Sequence, residues 1–191
     1  MKFTKKSIIG LVALGLALIF WTSCNKDEQV VSTPDPENEF MTTVKLIAVN
    51  VNDPGDMDTA SWVDLDPEGS AQPDLSNAFL NLKANATYNV QVQFWDESKT
   101  PAENITPEIK ERQNYHLICF SPDGSLNLTV TKTDRDNNNP PLPVGLEDQF
   151  ETGGASSGDL NVTLRHQPNV KDGTCAPGST DANVDFQINI Q

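Results

Sequence analysis

The chain has 191 residues, with 27 acidic against 13 basic side chains and a formal net charge of −14. That much negative charge repels nucleic acid and anionic membrane surfaces and attracts cations and basic protein patches, so nucleic acid is excluded as a partner. Acidity with few aromatics would fit disorder, but the apolar residues here fall in short alternating runs, which points to one folded, acidic β domain.

In chain order, Lys2, Lys5 and Lys6 precede an unbroken apolar run from Ile8 to Phe20. A membrane span needs ~20 residues, so this shorter run reads as a secretory signal over residues 1–23, with Ser23 before Cys24 forming a lipoprotein-type cleavage site. Cys24 then opens the mature chain and carries the lipid. Lys26, Asp27 and Glu28 resemble the export signal of Bacteroidetes surface lipoproteins, in which a lysine and a short acidic run after the cysteine direct the protein to the outer face. Removal of 23 residues from 191 leaves 168, and the three lost lysines take the net charge from −14 to −17. Residues 24–40 are polar, contain Pro34 and Pro36, and read as a flexible tether.

A single domain is expected over residues 41–191. Its first strand is predicted at Met41–Val51, where Val44 and Leu46 hand over to Val49 and Val51, a change of phase that implies a bulge at Ile47-Ala48. Asn52-Asp53-Pro54-Gly55-Asp56 is a turn. Strands follow at Ser61–Leu65 and Asn77–Leu82. The clearest is Ala86–Trp95, with Tyr88, Val90, Val92 and Phe94 on one face, a period of two that marks a half-buried antiparallel strand. One short helix is expected from Thr106 to about Gln113, with Thr106 as cap, Pro107 in the first turn and Glu108 at the positive end of the dipole. Further strands are expected at Tyr115–Phe120, Ser125–Thr133, Gly145–Thr152, Asp159–His166 and Asn183–Ile190, with Asp123-Gly124 as a tight hairpin. Many short strands and no long amphipathic helix give an all-β, immunoglobulin- or fibronectin-like antiparallel sandwich, with a β-barrel as the alternative.

Several stretches carry a resemblance: Thr42-Thr43-Val44, residues 62–69 (Trp-Val-Asp-Leu-Asp-Pro-Glu-Gly), residues 84–88, Glu108 to His116, Thr131-Lys132-Thr133-Asp134, and Gly158 through Pro168. Over nearly the whole mature length the chain resembles a group of Bacteroidetes lipoproteins. Some of these carry a name invoking the type 1 periplasmic binding fold, and some are encoded near TonB-dependent outer-membrane receptors. The resemblance implies solute binding or uptake at the cell envelope, on the outer membrane. The doubly wound, two-lobed fold in that name requires helices that this sequence lacks.

Candidate chemistry is sparse. Asp64, Asp66 and Glu68 resemble the opening of a calcium loop, but Leu75 stands where the bidentate glutamate belongs. Asp134 and Asp136 are similarly spaced, and Asp53, Asp56 and Asp58 form a third cluster; the plain alternative is solvated turns. His116 and His166 suit zinc or copper, or else are hydrogen-bonded histidines at strand ends. Cys119 and Cys175 allow one disulfide in an exported chain, while the setting of Cys119 within Tyr115–Phe120 equally suits a buried free thiol. Trp62 and Trp95 are candidate sugar platforms or covers for the second sheet. Asp58-Thr59-Ala60 matches the pattern at which Bacteroidetes attach O-glycans, with Thr59 as acceptor. No Gly-x-Ser-x-Gly, His-Glu-x-x-His or phosphate-binding glycine loop occurs, and no enzyme is expected. The expected function is a lipid-anchored surface binding module, accessory to a TonB-dependent receptor in solute or metal uptake. The alternative is a structural or adhesive surface protein with calcium-stiffened loops.

Overall fold

The computed structural model describes residues 40–67 and 69–191. The strands are β1 (Thr43–Asn50), β2 (Met57–Val63), β3 (Asp74–Asn77), β4 (Phe79–Leu82), β5 (Thr87–Asp96), β6 (Glu103–Asn104), β7 (His116–Pro122), β8 (Leu128–Lys132), β9 (Glu147–Thr152), β10 (Ser156–His166) and β11 (Ser179–Ile190); the helix α1 spans Thr106–Glu111. One sheet has the order β3-β2-β1-β5-β9-β8, with β6 also on β5, and the other has β4-β11-β10-β7. The two sheets stay separate, which makes the architecture the expected sandwich and sets the barrel aside. Every pairing is antiparallel except that of β4 with β11.

Alternation places the core. Tyr88, Val90, Val92 and Phe94 of β5 face Leu160, Val162 and Leu164 of β10 and Phe186, Ile188 and Ile190 of β11 in one apolar layer. Each such side chain contributes roughly 1.5–3 kcal/mol when fully buried. β1 has no bulge: its register with β2 and β5 runs unbroken, and Val44, Leu46, Ala48 and Asn50 form one inward face. Asn50 is tolerated inside because its amide donates to Asp56 Oδ2 at 2.9 Å while its Oδ1 accepts from Asn52 N–H.

The predicted strand at Asn77–Leu82 is two strands, β3 in one sheet and β4 in the other, and Phe79 is left exposed. Asp123-Gly124 is likewise a crossing between sheets, from β7 to β8, and not a hairpin; Asp123 secures it by accepting from Ser125 and from Asp159 N–H. Helix α1 does start at Thr106 and bury Ile109, with Pro107 in its first turn, but its N-cap is Ile105. The Thr106 hydroxyl bonds instead to the Phe94 backbone, accepting from its N–H at 2.9 Å, and so pins the helix to β5.

Candidate functional site

The strand ends of one pole carry most of the polar chemistry. Here α1, the turn after it and the β8–β9 connection surround an open groove of about 710 Å³, lined by Glu103, Asn104, Pro107, Glu108, Glu111, Arg112, Asn114, Tyr115 and Asn137. Helix α1 is too short to hold itself and draws its stability from Ile109 packing on the core. Tyr115 is exposed in the lining that Asn114 and Asn137 share. Asn114 ties the walls together, since its Oδ1 accepts from Asn137 N–H at 2.9 Å and its carbonyl from Asn138 Nδ2.

Below this wall lies a buried ion pair. Lys171 Nζ sits 2.8 Å from Asp136 Oδ2, with the two side chains 2% and 0% exposed, and also donates to Gln113 C=O at 2.9 Å. Asp136 further accepts from Asn138 N–H, Asn138 Nδ2 and Leu142 N–H. Burial pushes the Asp136 carboxyl upward, but Lys171 and these amides outweigh it and hold it below its ordinary value. Burial likewise pushes the Lys171 ammonium down, against the pull of Asp136. Paired and hydrogen-bonded, the charges tie the segments at Gln113, Asp136–Leu142 and Lys171 to one another.

The outer side of β7 is covered at the same pole. His116, Leu117, Ile118 and Cys119 are all buried, because residues 167–178 fold over the sheet and Cys175 forms a disulfide with Cys119. Arg165 supports this cover by donating to the carbonyls of Pro177 and Gly178. Gly178 has φ +82°, and a side chain there would collide with His166 C=O.

The predicted metal residues do not converge. His116 and His166 are direct cross-strand partners, with rings stacked at 5.1 Å. The carboxylate beside them is Asp181, whose Oδ2 lies 3.6 Å from His116 Nε2; neither Asp64 nor Asp134 fills that place. Asp64 accepts from Asp66 N–H in a local turn, and Asp134 accepts from Gly145 and Leu146 N–H groups. In the third acidic cluster, Asp56 is taken up by Asn50 and Tyr88 and Asp58 by Asn81. Among the described residues, no three His, Cys, Asp or Glu side chains group as a metal site would require. Cys24, Lys26, Asp27, Glu28 and Glu68 lie outside the described residues.

Thr59 is exposed and lies in strand β2. Neither tryptophan forms a platform: Trp62 packs against the core, and Trp95 is covered by Lys45, whose ammonium lies 5.0 Å from the ring centroid and is held by Glu97. The exposed aromatic beside a groove is Tyr115, which sequence reading passed over as the first residue of a strand. The run Gln113-Asn114-Tyr115, two amides before an aromatic at a helix end, was the available signal. No family model, curated protein or solved structure matches the chain.

Proposed function

We propose that this protein is a lipid-anchored, non-enzymatic binding module on the outer membrane, which captures a small polar solute in the α1 groove and passes it to a TonB-dependent receptor. The observation that carries the binding reading is the groove itself: an aromatic ring, three asparagines, three glutamates and one arginine around an open concavity. Binding sites of this kind pair an apolar contact with a few placed polar groups. The Asp136–Lys171 pair keeps the walls in place before a ligand arrives, which lowers the entropy lost on binding. The anchor reading rests on Cys24 after the apolar leader and on the Lys26-Asp27-Glu28 sequel.

The test is to purify the full lipoprotein from solubilised outer membrane and record its native mass spectrum and its co-purifying neighbours. Wild type is expected to bring a receptor with it and to retain a solute that Tyr115→Ala loses while keeping its fold. Recovery of the protein without a receptor, and with the same bound mass in both variants, would sink the proposal. A Cys24→Ala chain is expected to leave the membrane fraction.

A further inference from the structure

The inward face of the larger sheet holds one ionisable pair that the groove does not use. Lys132 of β8 and Asp148 of β9 are direct cross-strand partners. The next pair along, Thr133 and Glu147, is joined by a backbone hydrogen bond of 2.9 Å from Thr133 N–H to Glu147 C=O. Lys132 and Asp148 therefore occupy the non-hydrogen-bonded position, where Cα atoms approach to about 4.5 Å and side chains lie closest.

Their setting is hostile to charge. Asp148 is 2% exposed, and neither of its carboxyl oxygens has a hydrogen-bond partner. The Lys132 amine lies over the Phe120 ring, 5.5 Å from its centroid, and Phe120 meets Phe150 edge-on. A buried carboxylate without hydrogen bonds, beside a lysine that does not ion-pair with it, is costly as an ion and unexplained as packing. Burial pushes the Asp148 carboxyl up to about 8, reinforced by the field of Asp134, and pushes the Lys132 ammonium down. Both shifts favour the neutral acid and the neutral amine, the two forms that can combine.

We propose that Lys132 and Asp148 condense into an intramolecular isopeptide bond that staples β8 to β9. The ammonium first passes a proton to the carboxylate, leaving an amine and a carboxylic acid. The Nζ lone pair then attacks Cγ of Asp148, and an N–C bond forms. The C–O bond to the hydroxyl breaks, and the hydroxyl leaves as water with one amine proton. One positive and one negative charge disappear together, so the net charge is unchanged and no oxidant, reductant or cofactor is consumed. The product replaces a buried carboxyl and a half-buried amine with one amide. It also fastens the outermost strand of its sheet, whose other edge is open.

Peptide mapping of the full chain by tandem mass spectrometry tests this. Tryptic cleavage after Arg135 separates Lys132 from Asp148 along the backbone, and no lysine or arginine follows until Arg165. The expected result is a species in which the two segments remain joined through their side chains, lighter by one water than their sum and uncleaved after Lys132. Lys132→Met is expected to release them while the Cys119–Cys175 disulfide still forms. Wild-type protein with that disulfide intact, cleaved after Lys132 and giving an unmodified Asp148 peptide, would overturn the proposal.

Discussion

Lys83 and Lys171 each bind aspartate, and the two regions could hardly differ more. Lys83 reaches Asp56 at 3.2 Å and Asp53 at 3.4 Å with over half its side chain in water; Lys171 meets Asp136 at 2.8 Å with both side chains out of solvent. The corresponding loops, Asn52-Asp53-Pro54-Gly55-Asp56 and Asp134-Arg135-Asp136-Asn137-Asn138, are alike in composition. What separates them is cover. The first loop joins β1 to β2 and is mostly exposed, whereas the second is overlaid by the segment that Cys175 ties to β7. Lys83 is more than half exposed, whereas Lys171 is buried against a carboxylate that also accepts from Asn138 and Leu142, so the same ion pair is peripheral in one place and enclosed in the other.

The contrast is broken most sharply by removing the buried cation. Lys171→Ala strands Asp136 without its charge partner, and loss of one member of a buried pair costs about 3–5 kcal/mol. Chemical denaturation should show a midpoint far below wild type, and the variant should lose groove binding with it, because Asn138 and the Asn114 wall lean on Asp136. Wild-type stability in this variant would mean that the ion pair is not what holds the loops.

Removing the cover is the next largest step. A Cys119→Ser, Cys175→Ser chain frees a connection closed over 56 residues, and loss of a disulfide typically costs about 2–4 kcal/mol. Hydrogen exchange is expected to rise over residues 167–178, Lys171 included, while the Lys83 corner stays unchanged.

Asp148 supplies a pH test. In Lys132→Met the carboxyl cannot be cross-linked and loses the lysine that pulls it down, so burial holds its folded value well above the unfolded 3.8. The folded state then keeps a proton that the unfolded state releases, so stability falls as pH rises from about 4 and is still falling at about 8. One such proton gives a slope of about 1.4 kcal/mol per pH unit. The cross-linked wild type is expected to lack that slope; an equal slope in both chains would mean that Asp148 is free in each.

The sheets were legible in the sequence wherever one face was apolar and the other polar, as at Tyr88 to Phe94 and Val184 to Ile190. They were illegible where a loop covers the second face. His116 to Cys119 shows no alternation because both sides are buried, and only the placement of Cys175 over β7 explains it. Crossings between sheets were misread as one strand at Ala78 and as a hairpin at Gly124, since a turn signal does not say which sheet the chain enters next. The two histidines were visible, but not that a register places them side by side. The groove was least legible, because it is built from a helix end, a two-residue strand and a loop more than twenty residues away, none with a periodic signature.

The smallest expected effect is at Lys83, and it defines the other end of the comparison. Side-chain bonds to Asp56 raise the Lys83 ammonium above its ordinary value, and the Asn50 amide, foremost among its partners, holds the Asp56 carboxyl below its own. Exposed pairs of this kind are screened by salt and add little. Asp56 does not depend on the lysine, because Asn50 and Tyr88 each donate to it at 2.9 Å and tie it to β1 and β5. Lys83→Ala should therefore leave the melting midpoint close to wild type, with any difference vanishing in high salt, whereas Tyr88→Phe, which removes a buried hydroxyl donor from the same carboxylate, should lower it at every salt concentration. If Lys83→Ala were the more damaging of the two, the corner would be held by charge after all, and burial would not be what distinguishes it from Lys171.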